Sequence, residues 1–140
     1  MSTYHLGTKD ITISELEHIL NQQIILDETA QHNIQKCRDY LDEKMKDHSK
    51  VYYGINTGFG SLCNVKISND DIEQLQENLV LSHACGAGNE VPADIVKIML
   101  LLKIKNFTYG NSGVSLAVTK RLMDFYNLNK DFTISLNDGN

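Results

Sequence analysis

The chain has 140 residues, 41% of them hydrophobic and 22% charged, with a formal net charge of -5. That length holds about one domain with a real core, and the balance is that of an ordinary water-soluble protein. Basic residues are scattered among acidic ones; the densest group, Lys44, Lys46 and Lys50, is interleaved with Asp42, Glu43 and Asp47. There is therefore no basic stripe of the kind a nucleic-acid surface needs, and this group reads as a solvated helix end.

Residues 3–13 read as one or two short extended segments with a turn near Gly7-Thr8. Ser14 and Glu17 have capping-box spacing and start a short helix. Ile24, Ile25 and Leu26 form a short extended connection. Asp27 is a good N-cap for a helix over 28–47, where Ala30, Ile34, Cys37, Leu41 and Met45 make one apolar stripe. Val51, Tyr52 and Tyr53 are a short β-prone run that enters a loop with glycines at 54, 58 and 60. Ser68 and Asp71 suggest a second capping box and a helix over 69–84, with Ile72, Leu75 and Leu79 along one side and His83 extending the stripe. Ala84-Cys85-Gly86-Ala87-Gly88 ends it, as glycine suits a helix C-cap.

Pro92 is placed as a first-turn proline for a helix over 92–108. Apolar residues wrap most of that helix, so it is expected to be central and largely buried. Gly110 breaks it, and Asn111 or Ser112 caps a last helix over 113–127. The fold class is therefore mainly α: a helical domain over 1–127 with a few short strands and a glycine-rich loop, followed by a polar tail over 128–140, expected to be loose.

Cys37, Cys63 and Cys85 are odd in number and lack C-x-x-C spacing, which disfavours a zinc site or a disulfide framework and fits reduced thiols in a cytoplasmic protein. The start of the chain has no apolar signal core, and the longest apolar run, 98–102, is too short to span a bilayer. Neither nucleic acid nor membrane is expected as a partner.

Standard sites are absent. Position 63 is Cys, so the loop glycines do not complete G-x-G-x-x-G, and there is no G-K-[ST]. His5, His18, His32, His48 and His83 have no i, i+4 partner for a metal pair, so no metal is expected. Cys85 with His83 is a weak nucleophile pair, because residues two apart on a helix point in different directions. Two candidates remain, Tyr53 and His83. On spacing alone, the Tyr53 loop is most simply a structural turn with two packed tyrosines: Gly54, Gly58 and Gly60 permit it, Asn56 and Thr57 bond the turning backbone, and Phe59 anchors it. A histidine on an apolar stripe is likewise more often a satisfied core residue than a functional one. The alternative places His83 at a helix end facing a pocket, with Ser82 as a second polar contact.

Tyr53-Gly-Ile-Asn-Thr-Gly-Phe-Gly60, then Gln76-Glu-Asn-Leu-Val-Leu-Ser-His-Ala-Cys-Gly-Ala-Gly88, then Tyr109-Gly-Asn-Ser-Gly-Val114 resemble the aromatic amino-acid ammonia-lyases. The resemblance runs from about residue 4 to residue 127, in the family's order and spacing. It implies an enzyme that removes ammonia from an α-amino acid to leave an unsaturated acid. It also implies an electrophilic methylidene-imidazolone (MIO) made from the enzyme's own Ala-Ser-Gly, and a homotetramer. Tyr53 matches the family's catalytic tyrosine, the base for the β-proton. Ser82-His83 matches the substrate-selectivity pair and resembles that of histidine-specific members. That implies L-histidine as substrate, urocanate as product and a place in histidine catabolism.

The chain departs from the pattern after about residue 127. Lys130 to Asn140 does not follow it, Ser115 stands where some members have arginine, and no Ala-Ser-Gly occurs. The only x-Ser-Gly triplet, Asn111-Ser112-Gly113, lies at a different family motif. The resemblance therefore implies a fragment, inactive by itself, left by a cut boundary, a shortened gene or a shifted reading frame. Two other readings are a fragment of a tyrosine- or phenylalanine-directed lyase or aminomutase, and a non-catalytic helical domain that binds a partner through an apolar face.

Overall fold

Thr3–Leu6 forms β1, Ile13–Leu20 forms α1 and Gln23–Leu26 forms β2. The two strands pair in parallel, Thr3 opposite Gln23 and Leu6 opposite Leu26. A parallel pair needs a crossover between its strands, and α1 supplies it. In β2, Ile24 and Leu26 are buried while Gln23 and Ile25 are exposed, the period of two that a half-buried strand requires. The remaining helices are α2 (Glu28–Met45), α3 (Ile72–His83), α4 (Ala93–Thr108) and α5 (Leu116–Asn127). The computed structural model describes residues 2–47, 49–58, 60, 67, 71–84 and 88–128, without the Ile72 side chain. Phe59, His48, Cys63, Ser68, Cys85 to Ala87 and the tail from 129 onward lie outside them, while Asp71, paired with Ser68 in the expected capping box, stands at the N-cap position of α3.

The chain divides into two compact units, one of Met1–Lys44 with Glu90–Ile134 and one of Met45–Asn89 with Ser135–Asn140. The first holds a single core: Leu6 of β1, Ile19 of α1, Ile24 and Leu26 of β2, Ala30 and Ile34 of α2, Leu101, Ile104 and Phe107 of α4, and Met123 and Tyr126 of α5. Burying such side chains contributes about 1.5–3 kcal/mol each.

Helix starts follow local chemistry, not always at the predicted residue. The first capping box is Thr12 with Glu15, not Ser14 with Glu17: Glu15 N donates to Thr12 Oγ1 at 3.2 Å, and Thr12 N donates to Glu15 Oε2 at 2.9 Å. The two boxes overlap in sequence, and the earlier one lengthens a short helix by two residues. Asp27 caps α2 as predicted, its Oδ1 accepting from Ala30 N at 2.7 Å. For α5 the cap is Ser115, which accepts from Val118 N at 3.3 Å. Asn111 and Ser112 belong to the preceding turn, because Gly113 sits at φ +69° and cannot be helical.

The outer edge of β2 is closed by side chains. Asn127 Oδ1 accepts from Ile24 N at 2.8 Å and Asn127 Nδ2 donates to Ile24 O at 2.9 Å, while Gln31 Nε2 donates to Leu26 O at 3.1 Å. An open strand edge is a template for unwanted pairing, and here α5 and α2 cover it. The expectation of a largely buried fourth helix holds for one side only. Val96, Leu101, Ile104 and Phe107 are buried, but Ile95, Met99 and Leu102 are about half exposed.

Candidate functional site

The Tyr53 loop lies in the second unit, and no strand forms over 51–53. The backbone groups that a strand would pair are held instead by one side chain. Asn56 Oδ1 accepts from Tyr52 N at 2.7 Å, and Asn56 Nδ2 donates to Lys50 O at 2.9 Å. The chain then turns over Tyr53–Ile55, with Ile55 N and Asn56 N both donating to Tyr52 O. Gly54 takes φ +73°, a conformation that costs other residues about 1–2 kcal/mol. Its N–H donates to Thr57 Oγ1 at 3.2 Å, and the Thr57 hydroxyl donates to Gly58 O at 2.9 Å.

Asn56 and Thr57 are almost fully buried, 4% and 0% exposed, yet each has its polar atoms satisfied. A buried polar group without a partner costs about 1–3 kcal/mol, so these bonds fix the loop in one shape. The loop's approach is also tied down. Asp47 accepts from the Ser49 hydroxyl at 2.6 Å and from Lys50 Nζ at 3.2 Å. The Ser49 hydroxyl first, then Lys50, lowers the Asp47 carboxyl to about 2. Tyr53 itself is 66% exposed, presented on a surface whose backbone is anchored beneath it.

α3 belongs to the same unit and ends at His83. Ser82 and His83 are both exposed, so His83 is not a core histidine. Its Nδ1 lies 2.8 Å from the carbonyl oxygen of Leu79 and 3.1 Å from Ser82 Oγ, and Ser82 Oγ is 2.9 Å from the same carbonyl. The part taken by the Leu79 carbonyl is not visible in a motif written as side chains. Its only trace is spacing, since position 79 lies one helical turn before 83.

The motif at 109–114 has a different environment. In the first unit, Gly113 N donates to Cys37 Sγ at 3.3 Å and Gly113 O accepts from Arg38 at 3.4 Å. Ser112 Oγ accepts from Val114 N at 3.4 Å. Asn111-Ser112-Gly113 is thus a turn tied to α2.

Comparison with known proteins places this pattern. Residues 11–133 match the family model described as aromatic amino acid lyase. The chain belongs to the aromatic amino acid lyase family. Histidine ammonia-lyase of Legionella pneumophila (strain Corby) is 42% identical over 119 residues, 84% of this chain and 23% of that protein. Histidine ammonia-lyase 1 of Fusobacterium nucleatum is 40% identical over 130 residues, 91% of this chain and 25% of that protein. The crystal structure of histidine ammonia-lyase from Trypanosoma cruzi superposes with a TM-score of 0.75 at 28% identity, covering 91% of this chain and 25% of that one. The chain therefore spans about a quarter of the length of the curated lyases it matches. Among the described residues, no helix is long and apolar enough to cross a membrane.

Proposed function

We propose that the chain is the N-terminal portion of a histidine ammonia-lyase, which removes ammonia from L-histidine to give urocanate. The observation that carries this is the identity of about 40% to histidine ammonia-lyases across nearly the whole chain. The Ser82-His83 pair favours the same substrate, because a histidine can exchange a hydrogen bond with an imidazole.

In this reading residues 1–127 are the family domain, Tyr53 is the base that takes the β-proton, and Ser82-His83 meets the substrate ring. Gly54, Asn56, Thr57, Gly58 and Gly60 hold the base in place. Fixing a reacting group in this way is worth several kcal/mol of barrier. The complete protein works in the cytoplasm as a tetramer.

The electrophile of such an enzyme, MIO, activates the amino group as a leaving group. Its Ala-Ser-Gly precursor is not among these 140 residues. The nearest triplet, Asn111-Ser112-Gly113, is bound into the turn against α2 and does not fit that role. The chain by itself is expected to be inactive.

A chimera tests the reading. Residues 11–127 replace the matching segment of the Legionella pneumophila enzyme, and histidine consumption is followed. Turnover that His83→Leu weakens without unfolding the protein supports the assignment. A folded chimera that does not act on histidine contradicts it.

A further inference from the structure

His83 is held by the turn that precedes it. Its Nδ1 lies 2.8 Å from the Leu79 carbonyl oxygen. A carbonyl has lone pairs and no hydrogen to give, so Nδ1 carries the hydrogen and donates it. The Ser82 hydroxyl also donates to that oxygen, at 2.9 Å. With its hydrogen directed there, the Ser82 oxygen has only lone pairs to offer Nδ1, 3.1 Å away. It is a second acceptor for the Nδ1 hydrogen. In a neutral imidazole one ring nitrogen donates and the other accepts, and the bond made by one sets the role of the other.

We infer that Ser82 is a positioning residue, which together with the Leu79 carbonyl holds His83 in its Nδ1–H tautomer. Neutral His83 then presents Nε2 outward, as an acceptor only. The ligand group it takes must be an N–H or O–H donor. Ser82 acts through His83 here, since its own hydrogen is committed to the Leu79 carbonyl. This deepens the functional reading above and rests on it for the identity of the ligand. An imidazole N–H meets the requirement, a phenyl ring does not, and a phenol does so only through its hydroxyl.

Nitrogen-15 NMR of the full chain, labelled at histidine and kept in mildly alkaline buffer, reads the tautomer directly. The His83 signals are assigned by their loss in His83→Gln. In the unsubstituted chain the hydrogen is expected on Nδ1. In Ser82→Ala, losing one neutral hydrogen bond should raise the Nε2–H share about fivefold, and Ser82→Thr should restore the original spectrum. A hydrogen on Nε2 in the unsubstituted chain overturns the inference, and that result does not depend on Ser82→Ala folding. A Ser82→Ala spectrum identical to the original overturns the part given to Ser82. The functional reading fails separately: a folded chimera that ignores histidine sinks it while leaving the tautomer as measured.

Discussion

Gly110 lies against the backbone of Asn33 so closely that a Cβ there would stand 2.6 Å from the Asn33 carbonyl oxygen. Gly110 also sits at φ +69°. Gly110→Ala meets both obstacles, and the atom in its way is backbone that cannot step aside. The expected loss is about 3 kcal/mol, part from the left-handed conformation and part from overlap. At Gly113 the nearest atom is the end of the Leu41 side chain, at 2.7 Å, which can rotate. Gly113→Ala should therefore cost less, about 1–2 kcal/mol. Chemical denaturation of the two variants checks the order.

Asn127→Ala removes both partners of the Ile24 backbone at once. Ile24 is fully buried, so water cannot replace them without opening the edge of β2. The expected cost is about 2–3 kcal/mol. Hydrogen exchange at the Ile24 amide should accelerate more than exchange elsewhere in the first core.

Glu15 gives a pH dependence with a definite sign. The Thr12 backbone N–H, then the Thr12 hydroxyl and Lys9, lower its carboxyl from the ordinary glutamate range to about 2. A depressed folded value means that the contribution is fully present above the ordinary carboxylate range and is lost as pH falls toward 2. The Thr12 amide resonance should titrate with a midpoint near 2, and Glu15→Gln should abolish that titration while keeping the helix. A midpoint in the ordinary glutamate range would refute the capping bond.

α4 exposes a groove of about 580 Å3 lined by Val96, Met99, Leu100, Leu102 and Leu122, together with Lys103 and Asn106. Contiguous apolar surface of this kind promotes association. The isolated chain is expected to bind a hydrophobic dye and to self-associate on size exclusion. Met99→Lys with Leu102→Lys should reduce both, with stability within about 0.5 kcal/mol because both side chains are about half exposed.

In an active chimera, Tyr53→Phe removes one hydroxyl from a side chain that is 66% exposed. The fold should be unaffected. If Tyr53 is the base, turnover should fall by about 10²–10⁴-fold, with a smaller change in KM. Near-normal turnover would take that role from Tyr53.

Much of the helical frame was legible because apolar residues recur every three or four positions, as at Ala30 and Ile34 of α2, and because Asp27 is a plain N-cap. The misplaced starts have specific causes. Thr12-x-x-Glu15 and Ser14-x-x-Glu17 overlap, and spacing cannot choose between them. Gly113 is compatible with a helix start by sequence, but its backbone is left-handed. The strand expected at 51–53 failed because the Asn56 side chain takes the bonds a neighbouring strand would have made. The candidate site is legible chiefly through its resemblance to a family, since spacing alone favours a turn and a core histidine. The Leu79 carbonyl is marked only by its spacing of one helical turn before His83, because a backbone atom is independent of the side chain at its position.

If this chain supplies the histidine-recognising N-terminal portion of an ammonia-lyase, the completed enzyme must prefer histidine. The ratio of kcat/KM for histidine over tyrosine, measured on the chimera that carries residues 11–127, tests it most directly. A strong preference for histidine, with urocanate as the product, is predicted. A preference for tyrosine or phenylalanine would contradict it.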